Sequence, residues 1–220
     1  MTPANEGQFS EHEIKLYVRD LAEVERRLIA AGASLIAPRV HEVNVRYEDA
    51  SGSLTPAHQV LRLRRDARVR LTYKDEHGVP LPGGGRTRFE AEVEVSDFAA
   101  MDAILNKLGF HPYMTYEKYR TTYALAGAEI ALDEMPYGTF VEIEGEPDAI
   151  SAAVARLALH DAPPIPLGYA VLFERLKAAL GLTSVDLTFA NFAGVTVPEA
   201  LILSVSGQND AGQDDAWRAP

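Results

Sequence analysis

The sequence predicts an α+β fold built on one broad antiparallel sheet that curls shut, with its apolar face outward under helices and its charged face inward. Three observations predict it. Strand-like alternation of apolar and polar residues fills the first two thirds of the 220-residue chain. In nearly every such stretch the polar face is charged rather than merely hydrophilic. Amphipathic helical stretches follow several of the strands and can cover the apolar side.

The elements follow in order. EHEIKLYV (11–18) alternates, and Asp20 then caps a helix that keeps Leu21, Val24, Leu28 and Ile29 at helical spacing up to Gly32. HEVNVRYED (41–49), QVLRLRRD (59–66) and RVRLTYKD (68–75) are strands, the last two a hairpin. HGVPLPGGGR (77–86) reads as a mobile Gly/Pro loop. RTRFEAEVEV (86–95) precedes a helix capped by Ser96, with Phe98, Met101, Leu105 and Leu108 on one side and Gly109 at its end. EKYRTTYAL (117–125) and AEIALDEM (128–135) form a hairpin around Gly127, and PYGTFVEIEG (136–145) follows as a strand. A helix opens at Pro147 and runs to about Leu159, HDAPPIP (160–166) breaks the chain, and a last helix runs from about Gly168 to Leu180. Residues 1–9 are expected to be a flexible lead-in and 10–182 the functional domain. Residues 183–220 are expected to be an extension in which DLTFANF packs and GQNDAGQDDAWRAP is disordered.

Composition narrows the function. A net charge of −11 disfavours a general nucleic-acid binder and attraction to anionic lipid. The absence of cysteine removes disulfides, thiolate metal sites and cysteine nucleophiles, and fits a reducing, cytoplasmic setting. The first residues carry no signal-peptide pattern, and no apolar run has the length of a spanning helix. HEVNV lacks the second histidine of a zincin motif, and PGGGRTR lacks the Walker A lysine and helix.

Sorting each strand by face isolates one charged set. Glu11, Glu13 and Lys15 oppose Ile14, Leu16 and Val18. Arg62 and Arg64 oppose Leu61 and Leu63, and Arg70 and Lys74 oppose Leu71 and Tyr73. Arg88, Glu90, Glu92 and Glu94 oppose Phe89, Ala91 and Val93. Lys118 and Arg120 oppose Tyr119, Asp133 opposes Leu132, and Glu142 and Glu144 oppose Ile143. A solvated face would mix in Ser, Thr, Gln and Asn. This one is almost wholly ionic, and its basic strands prefer arginine, the side chain suited to bidentate contact with phosphate. Closing the sheet with apolar residues outward turns the charges into the lining of a tunnel. Enclosed charge needs ionic partners: a polyanion for the bases, and hard divalent cations, Mg²⁺ or Mn²⁺, for the carboxylates.

These strands resemble the CYTH superfamily, the triphosphate tunnel metalloenzymes. The resemblance rests on Glu11-x-Glu13-x-Lys15, LRLR, LTYK, RFEAE, EKYR, LDEMPYGTFVEIEG and the late helix with Tyr169, in family order over about residues 10 to 182. It implies a closed eight-stranded antiparallel barrel that binds a triphosphate and one or two divalent metals. By position it implies that Lys15, Arg62, Arg64, Lys74, Arg88, Lys118 and Arg120 hold phosphate, and that Glu11, Glu13, Asp133, Glu142 and Glu144 hold or orient metal. Glu90 and Glu92 join Glu11, Glu13 and Lys15 as catalytic candidates. One departure is Asn44 and Arg46 in the second strand, where the family often has an aspartate. Glu11 and Glu13 are expected to converge with Glu142 and Glu144.

The reading is metal-dependent hydrolysis of a small-molecule triphosphate: inorganic tripolyphosphate, thiamine triphosphate or a nucleoside triphosphate. The alternative from the same family is a class IV adenylyl cyclase, in which the ATP 3′-hydroxyl attacks the α-phosphate and pyrophosphate leaves. The other class of function is a non-catalytic polyphosphate-binding module. No nucleic-acid or membrane partner is expected, and a homodimer is left open.

Overall fold

The computed structural model describes residues 9–80 and 86–207. Eight strands, β1 (Ser10–Tyr17), β2 (Ser34–Asp49), β3 (Gln59–Arg65), β4 (Val69–Pro80), β5 (Arg86–Val95), β6 (Phe110–Leu125), β7 (Ala128–Met135) and β8 (Gly138–Glu144), form a closed barrel. Around the barrel the order is β1-β5-β4-β3-β2-β6-β7-β8, antiparallel at every pair. Closure leaves no unpaired edge. Five helices, α1 (Leu21–Ala30), α2 (Phe98–Lys107), α3 (Pro147–Arg156), α4 (Tyr169–Leu180) and α5 (Glu199–Ser206), lie outside it among the described residues.

Local chemistry explains the boundaries. The Asp20 carboxylate accepts the Glu23 N–H and starts α1. The expected cap at Ser96 is corrected to its neighbour: the Asp97 side chain accepts the Ala100 N–H, a charged acceptor at the positive end of α2. The β6–β7 hairpin turns on Ala126 and Gly127, both at positive φ (56° and 83°), as a two-residue I′-type turn requires. Gly145 ends β8 at φ 151°, where a Cβ would lie 3.3 Å from the Gly127 carbonyl oxygen, so the turn packs on a residue with no side chain.

Two strands run longer than the sequence indicates. β2 begins at Ser34 and β6 at Phe110, because Pro38 and Pro112 do not end them. Register shifts at Ala37/Val40 and Arg46/Tyr47 absorb the missing proline N–H groups as bulges. β4 also continues to Pro80 through pairing of Val79 with Thr87 and Pro80 with Arg86. Of the expected 77–86 loop, residues 77–80 and 86 are therefore in strands, and residues 81–85 lie outside the described residues.

Apolar strand faces point outward. Ile14, Leu16, Ile130, Val141 and Ile143 pack beneath α1 and α3 with Leu28, Ala153 and Leu157. A second core joins α4 and α5 to one end of the barrel through Phe140, Leu172, Phe173, Leu176 and Ile202, all fully enclosed. Burying each such side chain contributes roughly 1.5–3 kcal/mol. α5 and the segment before it, expected to be irregular, belong to this core: Leu187 and Ile202 have no exposed surface. Residues 1–8 and 208–220, expected to be flexible or disordered, lie outside the described residues.

Candidate functional site

The barrel interior holds a cavity of about 530 Å³, within the range of about 300–1,000 Å³ typical of small-molecule sites. Strand alternation delivers its walls. β1 presents Glu11, Glu13 and Lys15, β3 presents Arg62 and Arg64, and β4 presents Lys74. β5 presents Arg88, Glu90 and Glu92, β6 presents Lys118 and Arg120, and β8 presents Glu142 and Glu144. Every candidate named from the sequence lines this space except Asp133, which has no exposed surface, and Glu94, which is exposed beside Arg68 rather than inside.

Asp133 lies behind the wall as an anchor. It accepts hydrogen bonds from Lys118 Nζ at 3.0 Å, from Arg120 Nε and Nη2 at 2.7 and 2.6 Å, and from the Tyr169 hydroxyl at 2.8 Å. Its oxygens are committed to these donors, so in this arrangement it orients cations and does not face the cavity.

The remaining charges interlock across strands. Arg88 bridges Glu11 (2.6 Å) and Glu13 (2.9 Å), and Arg86 also reaches Glu13 (2.9 Å). Lys74 pairs with Glu90 and stands 3.5 Å from Glu11. Arg62 donates to the Tyr116 hydroxyl and to Thr72, both at 3.1 Å, and Arg64 reaches Glu42 (3.3 Å) and Glu92 (3.4 Å). Arg120 pairs with Glu142 as well as Asp133. Lys15 sits 3.2 Å from Glu142, donates to the Leu167 carbonyl at 3.1 Å and lies over the Tyr169 ring at 4.1 Å. The start of α4 thus closes on β1.

Protonation follows this geometry. Burial pushes the Glu11 carboxyl up, but Lys74 and Arg88 outweigh it and hold it well below the usual range. Glu13 is also lowered: burial opposes ionisation, and Arg88 and Arg86 overcome it. Glu90 moves the other way, to about 7, through burial and a hydrogen bond shared with Glu11. Glu144 rises to about 8 through burial and the like charges of Glu11, Glu129 and Glu90. Its side chain keeps an exposed edge at the rim, so water screens much of that repulsion. Burial lowers the Lys15 ammonium pKa against the pull of Glu142 and Glu13.

The carboxylates expected to converge share the cavity: Glu13 stands in register with Glu144, and Lys15 with Glu142. Among the described residues no three acids come close enough to enclose an ion, because most are turned onto Arg or Lys. The donor set nonetheless suits a hard dication. It consists of carboxylate oxygens, and buried Glu90 retains a proton to about pH 7 that a dication would displace.

The structure adds residues that the sequence reading did not select. Glu42 is almost fully buried, 3.3 Å from Arg64 and 3.6 Å from Lys118. Its carboxyl is lowered to about 2, burial being overcome by Lys118, Arg120 and Arg64. Arg46, Arg86, Tyr116 and Glu129 also line the cavity. The signal for Glu42 and Arg46 was the alternation in HEVNVRY, where Val43, Val45 and Tyr47 mark the outer face.

A closed antiparallel barrel enclosing interlocked bases and carboxylates is the architecture of a charged tunnel protein. The profile of the CYTH domain family matches residues 10–161, and the chain belongs to that family. Over 136 residues it is 29% identical to MJ0240 of Methanocaldococcus jannaschii, a protein whose name offers it as a candidate adenylate cyclase; the match covers 61% of this chain and 75% of that one. The solved structure of the PH1819 protein of Pyrococcus horikoshii is 26% identical with a TM-score of 0.59, covering 74% of this chain and 98% of its own. HpAC1 from Hippeastrum, a candidate adenylyl cyclase described as having a dominant triphosphatase activity, shares the fold at 20% identity and a TM-score of 0.54, covering 86% and 98%.

Proposed function

We propose that the chain is a divalent-metal-dependent triphosphatase that hydrolyses a small triphosphate in its barrel. One observation carries the reading: at least seven buried cations and a set of carboxylates line one cavity inside the barrel, a combination that a polyphosphate with its metal satisfies. Lys15, Arg62, Arg64, Lys74, Arg88, Lys118 and Arg120 are the phosphate-binding groups. They neutralise the nonbridging oxygens and hold the chain in line. Glu11, Glu13, Glu142 and Glu144 would hold Mg²⁺ or Mn²⁺, with Asp133 behind them orienting Lys118 and Arg120. The metal would supply charge neutralisation across adjacent phosphoryl groups.

Glu90 accepts the proton of the attacking water, and its elevated pKa suits that role near neutrality. Glu92 holds Arg62 and Arg64 in place. Water oxygen bonds to phosphorus, the bridging P–O bond breaks, and that bond's electron pair leaves with the departing phosphate.

The name of MJ0240 favours examining ATP cyclisation beside hydrolysis. Products from tripolyphosphate, thiamine triphosphate and ATP with Mg²⁺ and with Mn²⁺ separate the readings. Phosphate release from at least one of them, abolished in Glu11→Gln, is expected. Cyclic AMP with pyrophosphate from ATP would replace hydrolysis by cyclisation. Binding without any turnover would leave the non-catalytic module.

A further inference from the structure

Arg46 is a cavity-lining guanidinium with 7% of its surface exposed, yet it makes no ion pair among the described residues. Its Nε has no hydrogen-bond partner, and its one recorded contact is the Tyr113 ring, 5.5 Å from Cζ. Each of the seven cations named as phosphate-binding has a carboxylate within 4 Å. Beside it on β2, Asn44 is fully buried with neither amide atom hydrogen-bonded. An enclosed charge left without a counter-charge is strongly destabilising, so it persists where a ligand completes it.

Topology places this group. β1, β7 and β2 run the same way round the barrel, so Lys15 near the end of β1 and Arg46 near the end of β2 share the end where α4 packs. Glu11 and Glu129 lie toward the start of their strands, at the opposite end. Met114 stands in register with Arg46 and packs with Tyr116, Met135 and Phe140 in the apolar cluster beneath α4. This apolar surround offers Arg46 no counter-charge, so the group that completes it is an anion.

We infer that Arg46 is a further substrate-binding residue, taking the unesterified terminal phosphoryl group of a linear polyphosphate at the α4 end of the tunnel. The inference rests on the triphosphate reading above and deepens it: it assigns the α4 end of the tunnel to a terminal phosphoryl group.

Titration calorimetry with sodium tripolyphosphate in EDTA tests this without turnover, using the wild type, Arg46→Met and Arg46→Lys. The methionine variant should bind at least about 10-fold more weakly, with ligand-free thermal stability equal to or above wild type because a lone buried charge is gone. Lysine should recover part of the affinity. Equal affinity in wild type and Arg46→Met, or a methionine variant that loses ligand-free stability while keeping its affinity, overturns the inference and marks Arg46 as a structural partner of Tyr113. Failure of the wild type itself to bind tripolyphosphate overturns the triphosphate reading, and the inference falls with it.

Discussion

Replacing Asp133 by asparagine should destabilise the ligand-free barrel, and the structure sets how far. The carboxylate has no exposed surface and accepts four hydrogen bonds, three of them from Lys118 and Arg120. Breaking a buried ion pair from one side costs about 3–5 kcal/mol, because the opposite charge is stranded. Here both cations keep a second acid, Arg120 through Glu142 and Lys118 through Glu42 at 3.6 Å. The loss should therefore fall at the low end, about 3 kcal/mol. For a chain of this size about 1 kcal/mol moves Tm by roughly 2–4 °C, so a fall of about 6–12 °C is expected by differential scanning calorimetry. Freed cations should also accept anions more readily. Tripolyphosphate at about one hundred times its Kd contributes roughly 2.7 kcal/mol and should recover most of the loss. A fall below about 2 °C would show that Asp133 does not hold these cations, and the account of the wall behind the cavity would be wrong.

Two further tests address protonation and the C-terminal core. Glu90 holds its proton to about pH 7 when folded, against an ordinary 4.5, so its contribution to stability is present below about pH 4.5 and is lost as pH rises toward 7. Metal-free wild type should accordingly lose stability over that window, at a slope of at most about 1.4 kcal/mol per pH unit from this group, and Glu90→Gln should flatten it; an unchanged slope in chemical denaturation would show that Glu90 ionises normally. Ile202→Ala should cost about 2–5 kcal/mol, since the side chain is fully enclosed and its Cδ1 lies against Gly138; a loss under about 0.5 kcal/mol would place α5 outside the cooperative core.

How much of this was legible follows from where each side chain takes its partners. Glu11, Glu13, Lys15, Glu90 and Glu92 were readable because strand alternation assigns a face from a few neighbours, and closure is the arrangement that covers every apolar face at once. Glu42 obeys the same alternation, but it stands beside His41 and is followed on its own face by Asn44, so that face is not marked by an unbroken charged pattern. The full extent of β2 and β6 was not legible, because prolines that usually end strands sit here at bulges defined only by the partner strand. The enclosure of Asp133 was equally hidden. Its register predicts the inner face, but only the approach of Tyr169 from α4, a distant segment, shows that its oxygens are fully taken. α5 was missed for a related reason: Ile202 and Val205 acquire helical meaning from the α4 surface they cover.

The interlocked charges also bear on how such a site opens to its substrate. Lys74, Arg88 and Arg120 are each held by acids, and Glu11 and Glu142 are each held by bases. Without ligand this network satisfies the buried charge that closure creates everywhere but at Arg46, which lets a barrel so densely ionic fold. On the proposed function, a polyanion would replace carboxylates on the arginines, and the released oxygens of Glu11 and Glu142 would be the ones to hold a dication. Either ion alone leaves one sign uncompensated. Binding of metal and triphosphate should therefore be mutually reinforcing, with each raising the affinity of the other by the same factor. Calorimetric titration of tripolyphosphate into Glu11→Gln, with and without Mg²⁺, would read that coupling directly. Equal enhancement by Mg²⁺ in the variant and the wild type would show that Glu11 takes no part in it.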